Sequence, residues 1–156
     1  MRGASTAVVL YVMYGFRFME LSKQMALITY LVEDSATIRD NLISTLEEIA
    51  PVKVVGFAET EDEASAWLSN HNGDWQLAIV DLFLKEGSGL GVLKGCQNRN
   101  ANQKVIVLTN YATTDIRRRC AELGSDAVFD KSNELDELLE YCTLATSSKD
   151  LHSFKA

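Results

Sequence analysis

Two adjacent acids, Glu33 and Asp34, follow a short apolar run, and a third, Asp81, falls near the end of another; the hydroxyl of Thr109 ends a later run and the amine of Lys131 follows the last. Brought together, three carboxylates repel and raise one another's pKa unless a cation sits among them. Hard oxygen ligands with room for water suit Mg²⁺. An ammonium and a hydroxyl donor beside such a cluster complement a dianionic tetrahedral group. The chemistry these residue types indicate is a phosphoryl group carried on a carboxylate.

The elements that must position them are legible from apolar periodicity. Residues 26–32, 52–58, 77–83, 104–109 and 127–130 are short runs rich in Val, Ile, Leu and aromatics with little strict alternation, the pattern of strands covered on both faces. Between them apolar residues recur every three or four positions: Ile38, Leu42, Leu46 and Ile49, then Ala64, Trp67 and Leu68, then Leu90, Leu93 and Cys96. Ile116, Cys120 and Leu123 mark a fourth stripe, and Leu135, Leu138, Leu139 and Cys142 a fifth. Ser35 is placed to cap the first helix, Thr60 with Glu63 forms a capping box for the second, and Ser132 or Asn133 is expected to cap the fifth. Gly73 and Gly124 are placed to close the second and fourth.

Strand and helix alternating five times predict an α/β fold, a doubly wound five-stranded parallel sheet with five helices on its two faces and right-handed crossovers. In the flavodoxin-like order 2-1-3-4-5, ligands lie beyond the carboxyl ends of the strands, and strands one and three are neighbours about 4.8 Å apart. That order gathers Glu33, Asp34 and Asp81 into one small volume.

With 156 residues, 47% hydrophobic and 24% charged, the chain suits one domain around one well-buried core. A formal net charge of −7 argues against direct nucleic-acid binding, which needs a basic face, and against anionic membrane surfaces. Cys96, Cys120 and Cys142 lie on three apolar stripes without zinc-site spacing and read as small buried hydrophobes in a reducing, cytoplasmic setting. Residues 1–24 stand outside the pattern. Their apolar stretch is shorter than the roughly 18–20 residues of a spanning helix and lacks a cleavage pattern, so a non-native or loosely attached leader is expected. The organised domain is expected over residues 25–146, with a flexible tail over residues 147–156.

The segments Leu31-Val32-Glu33-Asp34-Ser35, Ile79-Val80-Asp81-Leu82-Phe83-Leu84, Val107-Leu108-Thr109-Asn110 and Phe129-Asp130-Lys131-Ser132, in that order, resemble the receiver domain of bacterial two-component response regulators. The resemblance implies a stand-alone phosphorylatable switch. Asp81 would accept a phosphoryl group from a sensor histidine kinase or a histidine phosphotransfer protein. Glu33, Asp34, Asp81 and the backbone carbonyl of Phe83 would hold Mg²⁺, Lys131 would pair with one phosphoryl oxygen, and Thr109 would hydrogen-bond another. A downstream protein target is implied too, with helix four, strand five and helix five as the face for that contact or for a homodimer.

Several positions depart from the family's commonest pattern. Glu33 replaces the more usual Asp, and Val128, with Phe129 beside it, stands where an aromatic side chain usually rotates on activation. Ser132 stands where a proline usually follows the lysine in a cis linkage; a cis bond without proline costs about 2.5–4 kcal/mol, so a trans bond is expected. Tyr111 with Phe83 is placed to screen an acyl phosphate from water, which predicts a comparatively long-lived phosphorylated form.

Plainer readings compete with these. Acids at strand ends are often solvated helix caps favoured by the dipole, although a carboxylate ending an apolar run such as Leu77 to Val80 is costly unless used or paired. Gly87-Ser88-Gly89-Leu90-Gly91 lacks a following Gly-Lys-Ser/Thr and reads as a flexible lead into the third helix rather than a nucleotide loop. Arg117, Arg118 and Arg119 read as a solvated face, with docking of an acidic partner as the alternative. His71 and His152 read as turn and tail residues. The rival function is a haloacid-dehalogenase-type phosphatase with Asp81 as nucleophile. That chemistry wants a second Asp two residues on as general acid, where this chain has Phe83.

Overall fold

The computed structural model describes residues 26–146; the expected leader, the expected tail and His152 lie outside the described residues. The elements are β1 (Leu27–Val32), α1 (Ala36–Ile49), β2 (Val52–Ala58), α2 (Glu61–Asn70), β3 (Leu77–Val80), α3 (Gly89–Gly95), β4 (Lys104–Thr109), α4 (Thr114–Glu122), β5 (Ala127–Asp130) and α5 (Leu135–Thr146). Strand order is β2-β1-β3-β4-β5 with every neighbouring pair parallel, the flavodoxin-like arrangement the alternation predicts.

The near-continuous apolar runs arise because each strand feeds two cores at a period of two. Leu27, Leu31, Leu77, Ile79, Ile106 and Leu108 face Leu42 and Leu46 of α1 and Leu138 and Cys142 of α5. Their alternates Tyr30, Val32, Ala78, Val80, Val105 and Val107 face Ala64 and Leu68 of α2, Val92 and Leu93 of α3 and Cys120 of α4. All three cysteines are buried and free.

Ser35 and Thr60 cap α1 and α2 as expected, accepting from the amides of Ile38 and Glu63. The Glu63 carboxylate accepts in return from the Glu59 amide at 3.0 Å rather than from Thr60. Ser88 and Thr113, which the sequence reading did not single out as caps, accept from the Leu90 and Ile116 amides at the starts of α3 and α4. Gly73 and Gly124 take φ of +93° and +92° beyond the ends of α2 and α4, a conformation costly for other residues. Neither Ser132 nor Asn133 caps α5. The Asp130 carboxylate instead closes the turn ahead of the helix, accepting from both of their amides at 2.7 and 3.2 Å, and Leu138 N bonds back to Glu134 O at the helix start. β3 stops at Val80, three residues short of the expected end, because the chain turns away from the sheet once Asp81 N has bonded to Val32 O. The α1 stripe is also rotated: Arg39, Leu42 and Leu46 are buried while Ile38 and Ile49 are exposed.

Candidate functional site

β1 and β3 are adjacent and in register, Val32 opposite Val80, so the residues that follow them meet at one edge. One carboxylate oxygen from each of Glu33, Asp34 and Asp81 lies within 4.8 Å of the others. Glu33 and Asp81 are buried. Lys131 reaches this cluster from the end of β5, its Nζ donating to Glu33 Oε2 at 2.7 Å and to Asp81 Oδ2 at 2.8 Å. The Lys131 amide donates to the Thr109 carbonyl at 3.0 Å, which ties the lysine to the end of β4. Thr109 is fully buried, and its Oγ1 accepts from the Tyr111 amide at 3.2 Å. The hydroxyl proton of Thr109 is left to donate elsewhere. No cis peptide occurs among the described residues, so Lys131 and Ser132 are joined by the expected trans bond.

Electrostatics follow from this crowding. Burial pushes the Glu33 carboxyl above the ordinary carboxylate range; the Lys131 hydrogen bond pulls it down and the Asp81 charge adds to the rise. Burial alone would lower Lys131, yet its hydrogen bonds to Asp81 and Glu33 hold the ammonium above the ordinary lysine range. The acids outnumber the amine, and all donors are hard oxygens, a set that fits Mg²⁺. The Phe83 amide approaches Asp81 Oδ1 at 3.4 Å. The Phe83 ring meets Tyr111 edge-on with centroids 4.8 Å apart, both rings exposed at the mouth of the cluster.

Three features escaped the sequence reading. Arg39 is buried on α1, with Nη1 donating to the Glu33 carbonyl and to Glu59 Oε1, both at 3.1 Å, and its guanidinium 3.8 Å from the Phe57 ring centroid. A charge at three and seven residues before Leu42 and Leu46 sits on the apolar stripe itself, and that was the available signal. Arg117 is no solvated arginine: it donates to the carbonyls of Ala112 at 3.0 Å and Val128 at 2.8 Å and pairs with Glu134. Arg118 and Arg119 are exposed as expected. The Gly-rich segment is also no loose lead, since Ser88 caps α3 and Gly89 N donates to Leu82 O at 2.9 Å. His71 caps the end of α2, stacked on Trp67 with centroids 4.1 Å apart, away from the acids.

The family model for the response regulator receiver domain matches residues 29–143. The chain belongs to the response regulator receiver family. Among curated proteins, this receiver is 28% identical over 104 residues to a cyclic di-GMP phosphodiesterase of Thermotoga maritima, covering 67% of this chain and 28% of that protein. It is 28% identical over 108 residues to the transcriptional regulatory protein CiaR of Streptococcus pneumoniae, covering 69% of this chain and 46% of that one. The receiver therefore spans less than half the length of these two relatives. A response regulator protein from Burkholderia pseudomallei, solved with a phosphorylated aspartic acid and a calcium ion, superposes with a TM-score of 0.62 at 24% identity, covering 78% of this chain and 69% of that one.

Proposed function

We propose that Asp81 is the phosphoacceptor of this receiver, taking its phosphoryl group from a phosphohistidine of a sensor kinase or phosphotransfer protein. An Asp81 carboxylate oxygen attacks phosphorus in line, the P–N bond to the donor imidazole breaks, and the imidazole nitrogen leaves with the electron pair and is protonated. Glu33, Asp34, Asp81 and the Phe83 carbonyl would hold Mg²⁺, which when bound neutralises charge on the phosphoryl oxygens. Lys131 stays paired with Asp81 and turns its ammonium toward a phosphoryl oxygen. Thr109 donates its free hydroxyl proton to another, drawing the chain after β4 inward.

The observation that carries this reading is the convergence of three carboxylates with one buried ammonium from ends of strands far apart in the chain. Receiver-family membership and the phosphorylated aspartic acid of the Burkholderia relative agree with it. A groove of about 260 Å³ is lined by Lys131 with Ile38, Leu42, Leu108, Asn110 and Leu135, an apolar surface next to the lysine on which a donor protein can dock. The signal leaves through a downstream protein, and the α4–β5–α5 face, with exposed Arg118 and Arg119 on α4 and exposed Asp136 and Glu137 on α5, has the charge complementarity for that contact or for a homodimer. No helix among the described residues is long and apolar enough to cross a membrane, and we assign the protein to the cytoplasm, where such kinases present their phosphohistidine.

Acetyl phosphate with Mg²⁺, followed by intact mass, tests the assignment. The protein is expected to gain a single phosphoryl group, lost in Asp81→Asn and in EDTA. Multiple turnover of phosphate esters without a retained phosphoryl would favour the phosphatase reading instead.

A further inference from the structure

Glu61, the first residue of α2, is clasped by the turn that follows Asp81. Its Oε2 accepts from the Ser88 amide at 2.8 Å, its own amide donates to Glu86 O at 3.1 Å, and Thr60 beside it forms a parallel bridge with Glu86. The carboxylate fills the space that side chains at two glycines would occupy. A Cβ on Gly87, whose φ is +78°, would come 2.4 Å from Glu61 Cβ, and one on Gly91 would come 2.0 Å from Glu61 Oε1. Ser88 is the far arm of the same turn: it forms an antiparallel bridge with Phe83, its Oγ accepts from Leu90 N at 3.1 Å, and Gly89 N donates to Leu82 O at 2.9 Å. One chain of contacts, a side-chain carboxylate to a backbone amide and then a backbone bridge, thus runs from Glu61 through Ser88 to Phe83.

We propose that Glu61 is a positioning residue for the metal centre: by anchoring Ser88 to α2, it fixes the turn that presents the Phe83 carbonyl beside Asp81. The proposal rests on the reading of that carbonyl as a Mg²⁺ ligand. A carboxylate accepting a backbone N–H makes a stronger bond than a neutral acceptor, and α2 is packed on the sheet through Ala64 and Leu68, so the anchor is rigid. Supports of metal ligands typically alter affinity by about tenfold or more when removed. A rival role for Glu61, as a charge at the start of α2, depends on its charge and not on its bond to Ser88.

Mg²⁺ titration of the ¹⁵N-labelled protein, followed by amide chemical shifts, separates these roles. Glu61→Ala is expected to raise the half-saturating Mg²⁺ concentration about tenfold, while Glu61→Gln, which keeps an acceptor for Ser88 N, restores binding toward wild type. Gly91→Ala pushes the carboxylate off Ser88 with its charge intact and with a better helix former in α3; it is expected to reproduce Glu61→Ala, and the double variant to bind no worse than either. Gly91→Ala carries the test should Glu61→Ala fail to fold. Wild-type affinity in Gly91→Ala, or no rescue by Gln, overturns the proposal. Absence of saturable Mg²⁺ binding in the wild type overturns the metal reading itself, a separate outcome.

Discussion

Lys131 Nζ lies 2.7 Å from Glu33 Oε2, so the ammonium that also holds Asp81 occupies the charge-balancing place a cation would take. The lysine is thus partner and competitor at once: it stabilises the metal-free site and repels an incoming dication. Lys131→Met is expected to lower metal-free stability by about 3 kcal/mol, because it strands buried carboxylates. The same variant should bind Mg²⁺ several-fold more tightly and regain stability as Mg²⁺ is added. Urea denaturation in EDTA and in Mg²⁺ measures both effects, and a Mg²⁺ affinity that falls would contradict the competition.

A pH dependence follows from the same cluster. The folded pKa of Glu33 is raised, so the fold favours the protonated form. That contribution is fully present below the unfolded value of about 4.3 and is lost as pH rises through the folded value. Lys131, also raised, contributes stability that is present below about 10.4 and lost only as strongly alkaline pH passes its folded value. In EDTA, wild type should therefore lose stability relative to Glu33→Gln as pH climbs from the carboxylate range toward neutrality. Urea midpoints across that window test it; parallel curves for the two proteins would show that Glu33 is not the group responsible.

The aromatic pair at the mouth bears on how long a phosphoryl group survives. Phe83 and Tyr111 belong to the loops after β3 and β4 and meet edge-on at 4.8 Å, beside Asp81 and Thr109 respectively. Excluding water from an acyl phosphate slows its hydrolysis. The double variant Phe83→Ala/Tyr111→Ala is expected to lose label several-fold faster than wild type after the phosphodonor is removed, with each single variant in between. Phosphorylated fraction against time, by intact mass, gives the rate, and equal decay in all four proteins would leave the pair without this role.

Strand order and the convergence of Glu33, Asp34, Asp81 and Lys131 were legible because they depend on period-two burial and strand-end placement, both carried by local composition. Contacts between distant loops were not. Glu61 reads as one acid in a capping segment until Gly87 and Gly91 are seen to leave room for it. The Arg117–Arg119 run looks uniform in sequence, yet only Arg117 faces β5, where Val128 offers its carbonyl. With Val128 at the position usually aromatic, Arg117 links the chain after Thr109, through Ala112 O, to the start of α5, through Glu134. The start of α5 was misread for a related reason, since Asp130 reaches forward to the amides of Ser132 and Asn133 and holds both in a turn ahead of the helix.

Gly89 gives the sharpest test of how closely the turn after Asp81 is packed. A Cβ there would stand 2.1 Å from Asp81 O and 2.7 Å from Leu82 Cα, both backbone atoms that no side-chain rotation can clear. The conflict is steric and not one of backbone angle, because Gly89 does not have positive φ. Gly89→Ala must therefore move α3 or the Asp81–Leu82 peptide, and a shift of that peptide displaces Asp81 from Lys131. Overpacking of this kind costs about 1–3 kcal/mol. The expected result is a urea midpoint lowered accordingly together with acetyl phosphate labelling reduced well beyond what the unfolded fraction explains. Gly95→Ala on the same helix, where the nearest atom is Ser65 Oγ at 3.7 Å, should leave both nearly unchanged. Labelling that tracks the folded fraction in Gly89→Ala would mean that the turn absorbs the shift without moving Asp81.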